Sequence, residues 1–400
     1  MPSARLRTAA KVGYVAGMLA FASLGTVNLA ASALRPAAPI EDAPLFGVEV
    51  DAKTPKLTLR EVWTESFQRD AMLWFEQNWG LRGYAVRTDN TIVHGLFGEA
   101  RSGQAVVGRG GVLISDEDVK YVNRVDPPEP SIAQAKNIAR IQRKLRARGK
   151  VVIPVIIPSK TSFFRAAIPD GWKRRGSYAR PDENLYGAFT RALRAEGAAF
   201  VDGRALLGAE MPDDHVFAPT GRHWRMSAGC RVLQAALDAA RPDLPELGDD
   251  RFDCTTRVDP HASIEDEDYD LFRLLNVWED KPAGIDVEVL AAPKAPGSLR
   301  IPTIFVGSSF VWKFVRVSRE LEVFQPSLFY YYDSSVVDTT TLMITKKVEP
   351  FTDDWRKDTF SKRLFIVGIL ETYIPSDGER FLAELEKEID ASPEPGPDAP

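Results

Sequence analysis

The sequence has 400 residues, 44% of them hydrophobic, with 51 Lys and Arg against 56 Asp and Glu for a formal net charge of −5. That balance suits a chain that buries a core, and the absence of a basic stripe interleaved with aromatics argues against nucleic acid as a partner. Only two cysteines occur, Cys230 and Cys254, too few for a disulfide scaffold; in an oxidising compartment they either pair or remain free thiols.

At the N-terminus, Arg5, Arg7 and Lys11 precede an uncharged run over 12–34 that ends at Arg35. The run is long enough to cross a bilayer as a helix, and the positive residues before it leave the start in the cytoplasm and the rest outside. Residues 1–34 are therefore expected to be a signal anchor. Ala31-Ser32-Ala33 has the small residues of a signal-peptidase site, so cleavage is the alternative, but the run exceeds a usual signal-peptide core. The Pro- and Ala-rich stretch 35–57 reads as a spacer, and 391–400 as a disordered acidic tail. The chain between, 58–390, is expected to form one α/β domain.

Within it, Val62, Phe67, Trp74, Phe75 and Trp79 recur among charges, which predicts one amphipathic helix over 59–79 with its aromatics in the core. Residues 106–114 read as strand, glycine turn and strand; neither a following helix nor a Lys-Ser/Thr pair supports a phosphate loop there. A helix is expected from Ser131 to the stop at Gly149, followed by a strand over 151–157 whose unbroken apolar run suits a sheet covered on both faces. Helical patterns at 185–196 and 225–240 flank a short strand at 198–201. A polar, Asp-rich insertion spans about 249–284. Strand signals return at 285–290, 300–306 and 364–370, and a helix over 377–389 closes the domain. This alternation predicts a mainly parallel α/β sheet.

The sharpest local feature is Gly307-Ser308-Ser309-Phe310, where a buried strand runs into a helix. A serine there stands at the sheet's C-terminal edge, with backbone N–H groups able to face charge on an acyl oxygen; the plain alternative is a helix cap. A serine nucleophile needs a base, and the chain has four histidines. His94 and His261 lack a recognisable context. His215 and His223 lie in the loop before the 225–240 helix, and His223, followed by Trp224, is the better placed.

Gly307-Ser308-Ser309-Phe310 and Arg222-His223-Trp224, with Gly229 six residues after His223, resemble the two active-site motifs of the alginate O-acetyltransferase (AlgJ/AlgX-like) branch of SGNH hydrolase-like proteins. Stretches 67–97, 106–114, 151–160 and 364–374 are similar in order and kind, so the resemblance covers most of 59–374. It implies a three-layer α/β/α domain in which Ser309 is the acyl-accepting nucleophile and His223 its base. The family's Asp two residues before the His is Gly221 here; Asp214, or its neighbour Asp213, is the candidate third member through a loop turning back at 219–221, and the alternative is a Ser309–His223 dyad with no third member. Val112 and Gly368 also depart from the family pattern. Trp224, Ser308 and Glu371 are the candidate substrate-binding residues; Trp312 and 330–332 offer further rings for sugars, with burial in the core as the commoner alternative for such rings.

The resemblance implies transfer of acetyl groups to hydroxyls of an exported polysaccharide through an acetyl-serine. The donor would be a membrane-bound O-acyltransferase partner, and the place the periplasmic face of the inner membrane. No cofactor or metal is expected. The missing Asp leaves open a non-catalytic scaffold that binds polysaccharide, and water as acceptor would make the same residues an acetyl esterase.

Overall fold

The computed structural model describes residues 4–34, 40–173, 185–259, 267–279, 281–282, 287–291, 299–324, 326–332, 334–347 and 353–391. The tail from 392, His261 and part of the 35–57 spacer lie outside these. The chain forms two compact units, one of Met1–Gly103 with Phe272–Asp280 and one of Gln104–Leu271 with Lys281–Pro400.

The first unit is helical. The helix Ala4–Leu34 contains a segment, Lys11–Ser32, long and apolar enough to cross a membrane. Helices Leu59–Trp63, Ser66–Asn78 and Arg82–Phe97 follow. The single helix expected over 59–79 is thus two, because Glu65 takes a left-handed φ of 58° and breaks it. Its aromatics are not core, since neither short helix buries a residue.

The second unit opens with the hairpin β1 (Ala105–Val107) and β2 (Leu113–Ser115). The strands that follow are β3 (Val151–Ile157), β4 (Val201–Asp202), β5 (Thr256–Val258), β6 (Glu288–Leu290), β7 (Thr303–Gly307), β8 (Ser327–Tyr331), β9 (Ser335–Asp338), β10 (Met343–Lys347) and β11 (Leu364–Leu370). Seven of them form one sheet in the order β10-β9-β8-β7-β11-β3-β4. It is parallel from β8 to β4, and β9 and β10 add an antiparallel edge. β5 and β6 pair apart from it.

The sheet buries both faces, as the apolar runs of β3 and β11 require. Ile153, Val155, Phe305 and Ile366 pack on one side with the helices Met226–Ala240 and Trp312–Leu321. Val152, Ile304, Phe365 and Val367 pack on the other with Glu129–Arg146, Leu185–Ala195 and Glu379–Ala391. The period-two alternation of a strand thus feeds two cores, which makes three layers. Cys230, in the first of these helices, is bonded to Cys254 and ties the 249–258 strap to it.

Candidate active site

β7 ends at Gly307, and Ser309 opens a short 3-10 turn that continues into Trp312–Leu321. This turn sinks close to the sheet because two glycines face each other. Gly307 has a φ of 145°, and a Cβ on it would lie 2.8 Å from the Gly368 carbonyl oxygen; one on Gly368 would lie 2.4 Å from Val311. Gly368, a departure from the family pattern, is therefore what lets β11 accept the serine turn.

His223 comes from a closed loop. Phe217 and Trp224 bridge across its base, and Arg225 N–H donates to the Val216 carbonyl at 2.9 Å. Inside it, the buried Lys160 ammonium donates to the carbonyls of Ala218 (2.7 Å), Pro219 (2.8 Å) and Gly221 (2.6 Å). Burial pushes this lysine down to about 7, against the raising effect of Asp270 and Asp118. Three carbonyls need three donors, so the hydrogen-bond count calls for the protonated form.

The imidazole lies 4.5 Å from the Phe310 ring, and its two nitrogens face different partners. Nε2 is 2.8 Å from Ser309 Oγ, and Nδ1 is 2.7 Å from Asp270 Oδ2. With Asp270 ionised, Nδ1–H donates to it and Nε2 is left to accept the serine hydroxyl. Burial would raise the Asp270 carboxyl, but the charge and hydrogen bond of His223 and the N–H groups of Arg222 and Leu271 outweigh it and hold the group below its ordinary value. The Tyr332 hydroxyl stands on the open side, 3.5 Å from Ser309 Oγ.

The turn Asp270–Arg273 that carries Asp270 is itself pinned. Thr220 Oγ1 donates to the Asp268 carbonyl at 3.1 Å, and the buried pair Lys313–Asp268 at 3.7 Å ties it to the helix after Ser309. Gly229 is needed there, since a Cβ on it would lie 2.8 Å from Lys313 Cβ. The Arg222 guanidinium turns away from His223 to Glu117 at 2.6 Å.

The structure thus brings Ser309 and His223 together but not Asp214. Asp213 and Asp214 are exposed in the turn Asp213–Val216, and the carboxylate at His223 is Asp270. His215 is exposed in the same turn, and His94 belongs to the first unit. The three expected substrate-binding residues are all interior. Trp224 is fully buried, its indole N–H donating to the Phe310 carbonyl at 3.0 Å, so it joins the two motifs. Ser308 is buried beside Ser309, with no partner for its hydroxyl among the described residues. Glu371 is buried against Ser159 N–H, the Ser162 hydroxyl and Arg204. Asp270 and the loop-holding role of Lys160 were not read from the sequence.

A hydroxyl, an imidazole and a carboxylate thus stand in line at the C-terminal edge of a mostly parallel sheet, in an α/β unit of SGNH hydrolase-like fold. Residues 106–267 match the family described as SGNH hydrolase-like domain, acetyltransferase AlgX, a match that ends before Asp270 and Ser309. Among solved structures, the O-acetyltransferase domain of Pseudomonas putida AlgJ is similar at 18% identity and a TM-score of 0.40, over 71% of this chain and 98% of that one. Pseudomonas aeruginosa AlgX is similar at 14% identity and a TM-score of 0.46, over 72% and 67%. Bacillus cereus PatB1 is similar at 10% identity and a TM-score of 0.40, over 69% and 98%. No curated protein is a significant match.

Proposed function

We propose that this chain is a polysaccharide O-acetyltransferase working through an acetyl-Ser309 intermediate. The observation that carries the reading is the line Ser309–His223–Asp270, with contacts of 2.8 and 2.7 Å. Ser309 Oγ attacks the acetyl carbonyl carbon while His223 Nε2 takes the hydroxyl proton. Collapse of the tetrahedral intermediate expels the donor's oxygen, which leaves with that proton. A sugar hydroxyl then attacks the acetyl-serine and gives its proton to His223, and collapse transfers the acetyl to the sugar and returns the proton to Ser309. Asp270 keeps the imidazole in the required tautomer and stabilises its cationic form. The first N–H groups of the helical turn at 309–310 have no intrahelical acceptor and are the candidates to hold the oxyanion.

The same reading holds the chain at the periplasmic face of the inner membrane through Lys11–Ser32, the segment long and apolar enough to span it. It receives acetyl from a membrane-bound O-acyltransferase and passes it to an exported polysaccharide.

Incubation of the protein with p-nitrophenyl acetate tests the reading. It expects an acetyl adduct on the peptide carrying Ser309, absent in Ser309→Ala, and transfer onward to an added oligosaccharide. An adduct discharged only to water would leave an esterase. Absence of any adduct would favour the scaffold without catalysis.

A further inference from the structure

We propose that residues 59–79 lie in the outer leaflet of the membrane, packed against the spanning helix, as a lipid-facing platform; this rests on the spanning reading of Lys11–Ser32. The first observation is how closely the segment joins that helix. The Trp79 ring packs edge-on to Phe21 at 5.2 Å. A Cβ on Gly25 would lie 2.2 Å from the Trp79 ring, and one on Gly80 2.9 Å from the Gly25 carbonyl oxygen, so two glycines make room for the contact. Asn28, a polar residue inside the apolar run, is buried and fully used. Its amide donates to the carbonyls of Gly80 (2.9 Å) and Ile40 (2.8 Å), and its oxygen accepts from Ile40 N–H at 3.0 Å.

These contacts set a depth. At a rise of about 1.5 Å per residue, Phe21 stands roughly 16 Å, Gly25 roughly 10 Å and Asn28 roughly 6 Å below the outer end of the span at Ser32. Trp79 and Gly80 therefore sit within the thickness of a hydrocarbon core of about 30 Å, and the helix Ser66–Asn78 leads straight into them.

The second observation is the face that this helix leaves uncovered. Phe67, Ala71, Trp74 and Phe75 fall on one side at helical spacing, with Met72 beside them. None is buried: Met72 is 75% and Phe75 43% exposed, and on the preceding short helix Trp63 is 89% exposed. The polar side is occupied instead, with Gln77 accepting the N–H groups of Asp51 and Ala52. An amphipathic helix with an uncovered apolar face, tied to a membrane span at hydrocarbon depth, fits acyl chains. Its charges do not steer it there, since Arg60 and Arg69 stand against Glu61, Glu65, Asp70 and Glu76. The anchor holds it in place, and anionic lipid is not required.

Spin labels on the full chain in phosphatidylcholine nanodiscs test this. Cys230 and Cys254 are paired, so a label attaches only to an introduced thiol. Met72→Cys and Phe75→Cys report the apolar side, Arg69→Cys the opposite side and Leu19→Cys the span. Labels at 72 and 75 are expected to collide with oxygen within about twofold of the label at 19 and to be shielded from a soluble nickel complex, with the reverse at 69. Adding phosphatidylglycerol should leave this unchanged. A nickel-accessible pattern at 72 and 75 with a lipid-like label at 19 overturns the platform alone. A water-exposed label at 19 overturns the spanning reading and the platform with it. Shielding of 72 and 75 from both reagents means that a second copy covers the face, and a pattern that appears only with anionic lipid means charge steering; either overturns insertion by the apolar face.

Discussion

Asp270 reaches His223 from 47 positions further along the chain and takes Nδ1 at 2.7 Å, on the side where the family motif supplies a carboxylate two residues before the histidine. Replacing it by Asn keeps the shape and an oxygen for the Arg222 N–H but favours the wrong imidazole tautomer. Asp270→Asn is expected to lower acetyl-enzyme formation by roughly 10³–10⁴ while the melting temperature changes little. Asp213→Asn and Asp214→Asn, both at exposed positions, should stay close to wild type. A rate for Asp270→Asn near wild type would remove it from the mechanism.

Restoring the family residue by Gly221→Asp gives a contrasting expectation. The Nδ1 side of His223 is already filled, and the Gly221 carbonyl is one of three that Lys160 holds. A second carboxylate there would repel Asp270 rather than help the imidazole. The variant should show no gain in kcat, and a rise would mean that Asp270 orients the base poorly.

What the sequence made legible follows from how local each signal is. β3 and β11 are continuous apolar runs, and the strand expected over 364–370 is β11 itself. Ser309 and His223 could be paired because each sits in a motif with its own neighbours. Asp270 carries no such mark: it is one carboxylate in an acidic insertion, brought to His223 by the contacts of Asp268 with Thr220 and Lys313 and by the Arg222 N–H on its own carboxylate. β8 to β10 were missed for a related reason. Tyr330 and Tyr331 read as rings for sugars, whereas Tyr330 is buried under Trp355 and Phe381. The break at Glu65 was hidden because a left-handed residue other than glycine has no composition signal.

Tyr332 is an exposed aromatic beside the reacting atom, with its hydroxyl 3.5 Å from Ser309 Oγ. At that distance it contributes little to the resting site, but on the proposed function it can tighten onto an acyl or sugar oxygen once one is bound. Tyr332→Phe should lower acetyl transfer about tenfold, with the loss in kcat/KM, and leave the melting temperature within about 1 °C because the ring stays. An unchanged rate would leave the hydroxyl without a part in the reaction.

Asp118 is a carboxylate that costs the fold stability. It lies fully buried in the helix Asp116–Asn123, and neither oxygen has a hydrogen-bond partner among the described residues. Arg222 approaches only to 3.9 Å, being held by Glu117 at 2.6 Å. Burial therefore raises the Asp118 carboxyl to about 6, with Arg222 opposing. A folded value above the unfolded one means that the native state binds the proton more tightly, so this group's contribution declines as pH rises from the ordinary carboxylate range to about 6. Above that window the buried charge is a standing cost on the order of 1–3 kcal/mol. Asp118→Asn removes the charge and keeps the shape. It should raise the melting temperature by a few degrees at neutral pH, and the gain should shrink toward zero as the pH falls below about 4. Thermal melts of both proteins across that range measure the difference directly. A loss of stability at neutral pH would show instead that Arg222 depends on Asp118 as a partner.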